Sequence, residues 1–81
     1  MKLSVYAVKD LKSTYMQPTY DVNDQTAIRN FKFAVNNPES LMNFAVKDFA
    51  LYRIGCYDTE SGEILGYDHV LMARAEDLID A

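Results

Sequence analysis

Asn23-Asp24-Gln25-Thr26-Ala27-Ile28-Arg29-Asn30-Phe31-Lys32-Phe33-Ala34-Val35-Asn36-Asn37 decides how this chain folds. Asp24 or Asn23 supplies an N-cap side chain, and Asn36-Asn37-Pro38 is a stop, because proline disfavours helical geometry in the residue before it. At about 100° per residue, Ala27, Ile28, Phe31, Ala34 and Val35 form one apolar stripe, so the spacing predicts a helix over Asp24–Asn36 that covers a sheet. Phe33 falls off that stripe, between Arg29 and Asn30.

The segments on either side read as sheet. Leu3–Lys9 alternates, with Leu3, Val5 and Ala7 on one face and Ser4, Tyr6 and Val8 on the other. Both sets are largely apolar, which predicts a strand covered on both sides. Asp10–Ser13 is a turn. Tyr15–Tyr20 is extended, but Pro18 confines it to an edge strand or a loop along the sheet. Glu39–Phe44 is a loop or a single helical turn. Phe49–Tyr57 is a strand with mixed alternation, Asp58–Gly62 a hairpin turn, and Glu63–Tyr67 the return strand. Beyond Val70 two patterns compete: Leu71, Ala75, Leu78 and Ile79 at helical spacing, or Val70, Met72 and Arg74 extending the strand. The expected fold is α+β, with an antiparallel sheet of about four strands and one main helix on one face. With no linker and no repeat, residues 1–81 are read as a single domain.

Several function classes fall away. One His, one Cys and scattered carboxylates do not assemble a metal site, and the Asp58–Gly62 run is too short for a calcium loop. There is no glycine-rich phosphate loop and no nucleophile elbow, so the expectation is a non-enzyme without cofactor or metal. Cys56, in an apolar run, is expected to be a buried inert thiol, and His69 a surface or edge residue. No apolar stretch approaches the roughly 20 residues of a membrane span, and the N-terminus does not read as a signal peptide.

Charge is divided unevenly. The net charge is −4, but residues 1–53 hold seven Lys or Arg against five Asp or Glu, whereas residues 54–81 hold Arg74 alone against seven acids. Six tyrosines and four phenylalanines are many for 81 residues. All six tyrosines fall on strands or extended segments. Such rings stack on bases of single-stranded nucleic acid, with cations tracking phosphates. They equally fill a half-buried sheet or a homodimer interface. Tyr6, Tyr15 and Tyr20 are the expected rings, with Lys9, Lys12 and Arg53 the expected phosphate contacts, because they lie on or beside the sheet in its less acidic part. A chain this short, with apolar residues on both strand faces and Phe33 left over, is expected to form a homodimer in which the partner covers the open sheet face or the Phe33 side of the helix.

Met1-Lys2-Leu3-Ser4-Val5-Tyr6-Ala7-Val8-Lys9-Asp10, the Tyr15–Pro18 element, Ala27–Phe31 with Ala34–Asn36, and Phe49–Gly55 followed by the acidic turn together resemble the small nonstructural protein of gokushovirus-type microviruses, bacteriophages with single-stranded DNA genomes. The likeness covers most of the chain in order, except the last dozen residues. It implies a DNA-binding protein of genome synthesis or packaging, acting in the host cytoplasm and absent from the mature virion. Single-stranded DNA is the implied partner, alongside phage capsid or replication proteins. The other reading is a protein-binding accessory module: a capsid assembly factor, or an acidic DNA mimic acting on a host protein.

Overall fold

The first helix, α1 (Asp24–Val35), is capped by Asn23, whose side chain accepts the Thr26 N–H at 2.8 Å. It ends where the Asn36 N–H reaches the Lys32 carbonyl at 3.0 Å, two residues before Pro38. Ala27, Phe31 and Val35, spaced four apart, are buried along one side, while Phe33 on another side is 80% exposed. These features come from a computed structural model, which describes residues 1–80.

The helix lies on a four-stranded antiparallel sheet in the order β2-β1-β3-β4, with β1 at Lys2–Asp10, β2 at Thr19–Asp21, β3 at Phe49–Asp58 and β4 at Ile64–Arg74. A short helix, α2 (Leu41–Phe44), capped by Ser40, and a 3-10 turn at Val46–Asp48 lead into β3. The chain therefore has the expected α+β fold. Pro18 sits just before the short edge strand β2, and Tyr15 makes a single bridge to Lys9 upstream of it. Gly62, at φ +76°, closes the Asp58–Gly62 turn in a conformation glycine adopts freely.

The ambiguous stretch after Val70 resolves as strand. β4 runs to Arg74, and only a 3-10 turn at Ala75–Asp77 follows. Pairing of Ala73 with Leu51 and of Arg74 with Ala50 holds these residues extended, while Ala75, Leu78 and Ile79 pack back on the core. Tertiary pairing overrides the helical spacing here.

The core joins Tyr6, Phe49 and Leu51 of the sheet to Ala27, Phe31 and Val35 of the helix, with Ala75 closing the end. Tyr6 is fully buried, and its hydroxyl donates to Asp24 Oδ1 at 2.6 Å. Arg53, opposite Tyr6 in the register, donates to the other oxygen, Oδ2, at 2.6 Å. One helix carboxylate thus ties two strands to the start of α1. Burial first, and then the bond to Asp24, push the Tyr6 hydroxyl up to about 12. Asp24 is held below the usual carboxylate range, chiefly by the Tyr6 hydroxyl and also by Arg53.

The helix covers only part of the sheet. Twelve residues span about 18 Å, whereas the ten and eleven residues of β3 and β4 run to roughly 33–36 Å. Every residue from Thr59 to Leu71 is exposed, and the molecule measures 42 × 23 × 19 Å. Lys2–Val5, Ile54–Asp58 and Ile64–Tyr67 form an arm that extends past the helix. Cys56 lies in this arm opposite Ser4, and it is half-buried rather than buried, because α1 does not reach it.

Candidate nucleic-acid interface

Alternation along β1 fixes the two faces of the sheet. Tyr6 and Val8 meet the helix, so Leu3, Val5, Ala7 and Lys9 point the other way. On β3, Phe49, Leu51 and Arg53 meet the helix side, placing Ala50 and Tyr52 on the opposite face. A bulge at Ile54 then shifts the register from Tyr6–Arg53 to Val5–Gly55. The extra residue moves Cys56 to the helix side and Tyr57 to the open face. A bulge was not legible in the alternation, and it is the reason the apolar pattern of this strand looks mixed. At Gly55 a Cβ would overlap the Leu65 carbonyl, so the close approach of β4 there requires glycine.

The open face has two aromatic rows. In one, the Tyr15 ring meets Tyr52 edge-on at 6.0 Å and His69 edge-on at 5.2 Å, and the Tyr15 hydroxyl lies 2.7 Å from His69 Nδ1. Lys9 Nζ stands 5.4 Å from the centre of the Tyr15 ring. In the other, Tyr20 and Tyr57 are 6.4 Å apart across β1. Between the rows the Gly55–Gly66 pair leaves two positions without side chains. Ala7 is buried without any element lying over it, since it pairs with Tyr52 in the row that Tyr15 completes. The expectation of a strand covered on both sides is corrected accordingly: rings from neighbouring segments shelter the second face at Ala7, while Leu3 and Val5 are only half-buried.

Cations flank the first row. Lys9 pairs with Ala50 and Ala50 with Arg74, so the two charges sit on either side of one small residue, roughly 10 Å apart across two strand spacings. Lys12 lies in the exposed turn at the same end, where its backbone N–H donates to the Asp10 carboxylate at 3.0 Å. The far end is acidic. Asp58, Glu60 and Glu63 surround the hairpin tip, and Asp58 is held below the usual carboxylate range, first by the Glu60 backbone N–H.

Of the six expected contact residues, Tyr15, Tyr20 and Lys9 share the open face, and Lys12 is exposed beside it. Tyr6 and Arg53 do not join them. Their register partnership points both at the helix, where Tyr6 has no exposed surface and Arg53 is held by Asp24. The structure adds Tyr52, Tyr57, His69 and Arg74. Their common face follows from strand register rather than from spacing along the chain. Phe33, the expected dimer residue, lies exposed beside a hollow lined by Arg29, Lys32, Asn36 and Pro38. Among the described residues no cluster of three His, Cys, Asp or Glu could hold a metal, and no helix is long and apolar enough to cross a membrane.

Fold and face together define a small α+β protein whose sheet is helix-covered on one side and ring-bearing on the other. The chain belongs to the phage ORF5 protein family, whose sequence model matches residues 3–78. It is thus a bacteriophage protein. No curated protein and no solved structure matches it.

Proposed function

We propose that this phage protein binds single-stranded DNA on the open face of its sheet, as a non-enzymatic, nonstructural protein of genome synthesis or packaging in the host cytoplasm, absent from the mature virion. The observation behind this reading is the grouping of Tyr15, Tyr52, Tyr20 and Tyr57 on one accessible face, with Lys9 and Arg74 beside them. Flat rings on a strand surface accept any base, at about 1–3 kcal/mol per stacked base. On the exposed side of α1, Asn30 is engaged by Asp21, Lys32 by Asp80 and Asn36 by two backbone carbonyls, which leaves the helix few free base-reading side chains with which to enter a major groove. Single strands should therefore be preferred to duplex. The resemblance to the gokushovirus-type nonstructural protein points to the same partner.

Fluorescence anisotropy with labelled oligonucleotides at low and high salt tests this. Binding that is stronger for single strands and weakened by Tyr20→Ala and Tyr57→Ala supports the proposal. Absence of binding at low salt overturns it. The acidic hairpin tip at Asp58, Glu60 and Glu63 then favours the second reading, a module that contacts capsid proteins or imitates DNA toward a host protein.

A further inference from the structure

The two edges of the sheet are built differently. β2 is three residues long, follows Pro18 and is continued only by the single Lys9–Tyr15 bridge. β4 is eleven residues long and contains no proline and no lysine, the residues that usually blunt an edge. Asp68 is its only full charge before Arg74. Ile64, Leu65, Tyr67, Val70 and Leu71 are all exposed along it, Ile64 at 71%. They do not share a face: Ile64 and Leu71 pair with Tyr57 and Tyr52 of the open side, whereas Leu65 and Val70 pair with Cys56 and Arg53 of the helix side. One apolar ligand lying on one face would leave the other wet. A strand added to the edge shelters both.

We infer that β4 is the surface on which a second copy of this chain docks, the two β4 strands running antiparallel across a dyad. An antiparallel edge is self-complementary in its backbone hydrogen bonds, which makes a copy of itself a fitting occupant. A dyad near the middle of the strand sets the Ile64 end of each copy beside the Arg74 end of the other, bringing Glu63 of one toward Arg74 of the other. The five exposed apolar residues offer on the order of 500 Å2 per copy, so about 1,000 Å2 is the ceiling on what they contribute in two copies, at the lower end of specific interfaces, with the paired backbone and Glu63–Arg74 adding to it. The bulges beside Tyr52 and Gly55 bend β4 and confine regular pairing to short stretches, so this apolar area supplies most of the attraction. Such a dyad is perpendicular to the sheet and keeps both ring-bearing faces on the same side. The dimer stands whether or not that face binds DNA.

Sedimentation velocity of the full chain at tens of micromolar tests the inference, with Ile64→Lys/Val70→Lys and Leu65→Lys/Leu71→Lys as two independent edge variants and Phe33→Asp as the control on the helix. The expected result is twice the chain mass for the wild type and for Phe33→Asp, and at least a tenfold weaker dimer in each edge variant that keeps its circular dichroism. Hydrogen exchange on the wild type gives a second readout that needs no variant: β4 amides should gain protection as concentration rises. A wild type with the mass of one chain overturns the inference. So does a dimer that survives the edge variants or dissolves with Phe33→Asp.

Discussion

Tyr6 and Tyr15 belong to the same sheet and carry the same side chain, yet they have opposite fates. Tyr6 faces α1, loses all solvent contact and spends its hydroxyl on Asp24; Tyr15 lies across the open face against Tyr52 and His69. The helix side combines a tyrosine, a carboxylate and a guanidinium into a polar tie within an apolar core. On the open side, rings meet rings and remain accessible. The difference teaches that a tyrosine count says little until each ring is assigned to a face, and that face is set by one-residue parity along the strand.

The sharpest way to break the comparison is to remove packing from the helix side. Phe31→Ala should cost about 3–5 kcal/mol, the range for deleting a buried phenylalanine. A single domain has only about 5–15 kcal/mol in total, so this variant should be largely unfolded or melt far earlier in urea. Phe33→Ala, two residues on and 80% exposed, should shift stability by less than about 0.5 kcal/mol. Equal losses at the two positions would contradict the orientation of the helix.

The next effect belongs to the polar tie. Asp24→Ala leaves the buried Tyr6 hydroxyl without its acceptor and should cost about 1–3 kcal/mol. The same tie predicts a pH profile. Asp24 has a lowered folded pKa, so its contribution is present above the ordinary carboxylate value and is lost as pH falls toward the lower folded value. Tyr6 is raised to about 12, so its contribution is full below the ordinary value of 10 and is lost as pH climbs from there to about 12. Urea midpoints measured across pH should therefore fall at both ends. Tyr6→Phe should flatten the alkaline limb, and Asp24→Ala should lose least, relative to wild type, at the acid end.

How much of this was legible varies by element. The stripe Ala27–Phe31–Val35, the stop at Pro38 and the turn at Gly62 depend on local chemistry, and they read correctly from the chain. Tyr15, Tyr20 and Lys9 were legible as candidates but without a face; their common face comes from the Val5–Tyr20 pairing and the Lys9–Tyr15 bridge, long-range contacts that spacing along the chain does not encode. Tyr6 and Arg53 were misassigned to the surface, because whether an odd or an even position meets the helix depends on which face α1 chooses, a long-range decision. Tyr57 was hidden by the Ile54 bulge. Arg74 belongs by sequence to the acidic end and by register to the basic corner beside Lys9.

On the open face the balance between stability and binding should reverse. Tyr20, 65% exposed, supports little of the fold, so Tyr20→Ala should leave the unfolding free energy from urea titration within about 0.5 kcal/mol of wild type. If a base stacks on it, the same change should weaken oligonucleotide binding by about 1–3 kcal/mol, at every salt concentration. Urea unfolding and anisotropy on one preparation give both values. A variant that loses stability and leaves binding untouched would place Tyr20 with the core tyrosine instead.

The smallest effect separates the cations from the rings. Lys9, Lys12 and Arg74 gather at one end of the open face, so at most about three phosphates are neutralised there, and the slope of log affinity against log salt should be about −2, at roughly 0.7 per contact on a single strand. Lys9→Ala should flatten that slope by about 0.7, and Arg74→Ala by the same amount, since the register places them on either side of Ala50. Arg53→Ala should leave the slope unchanged, because its charge is already matched by Asp24 on the other side of the sheet. The loss at Lys9 should be evident at low salt and fade as salt rises, whereas the loss at Tyr20 persists. If Arg53→Ala flattens the slope and Arg74→Ala does not, the DNA runs over the helix side, and the two faces exchange the roles assigned to them.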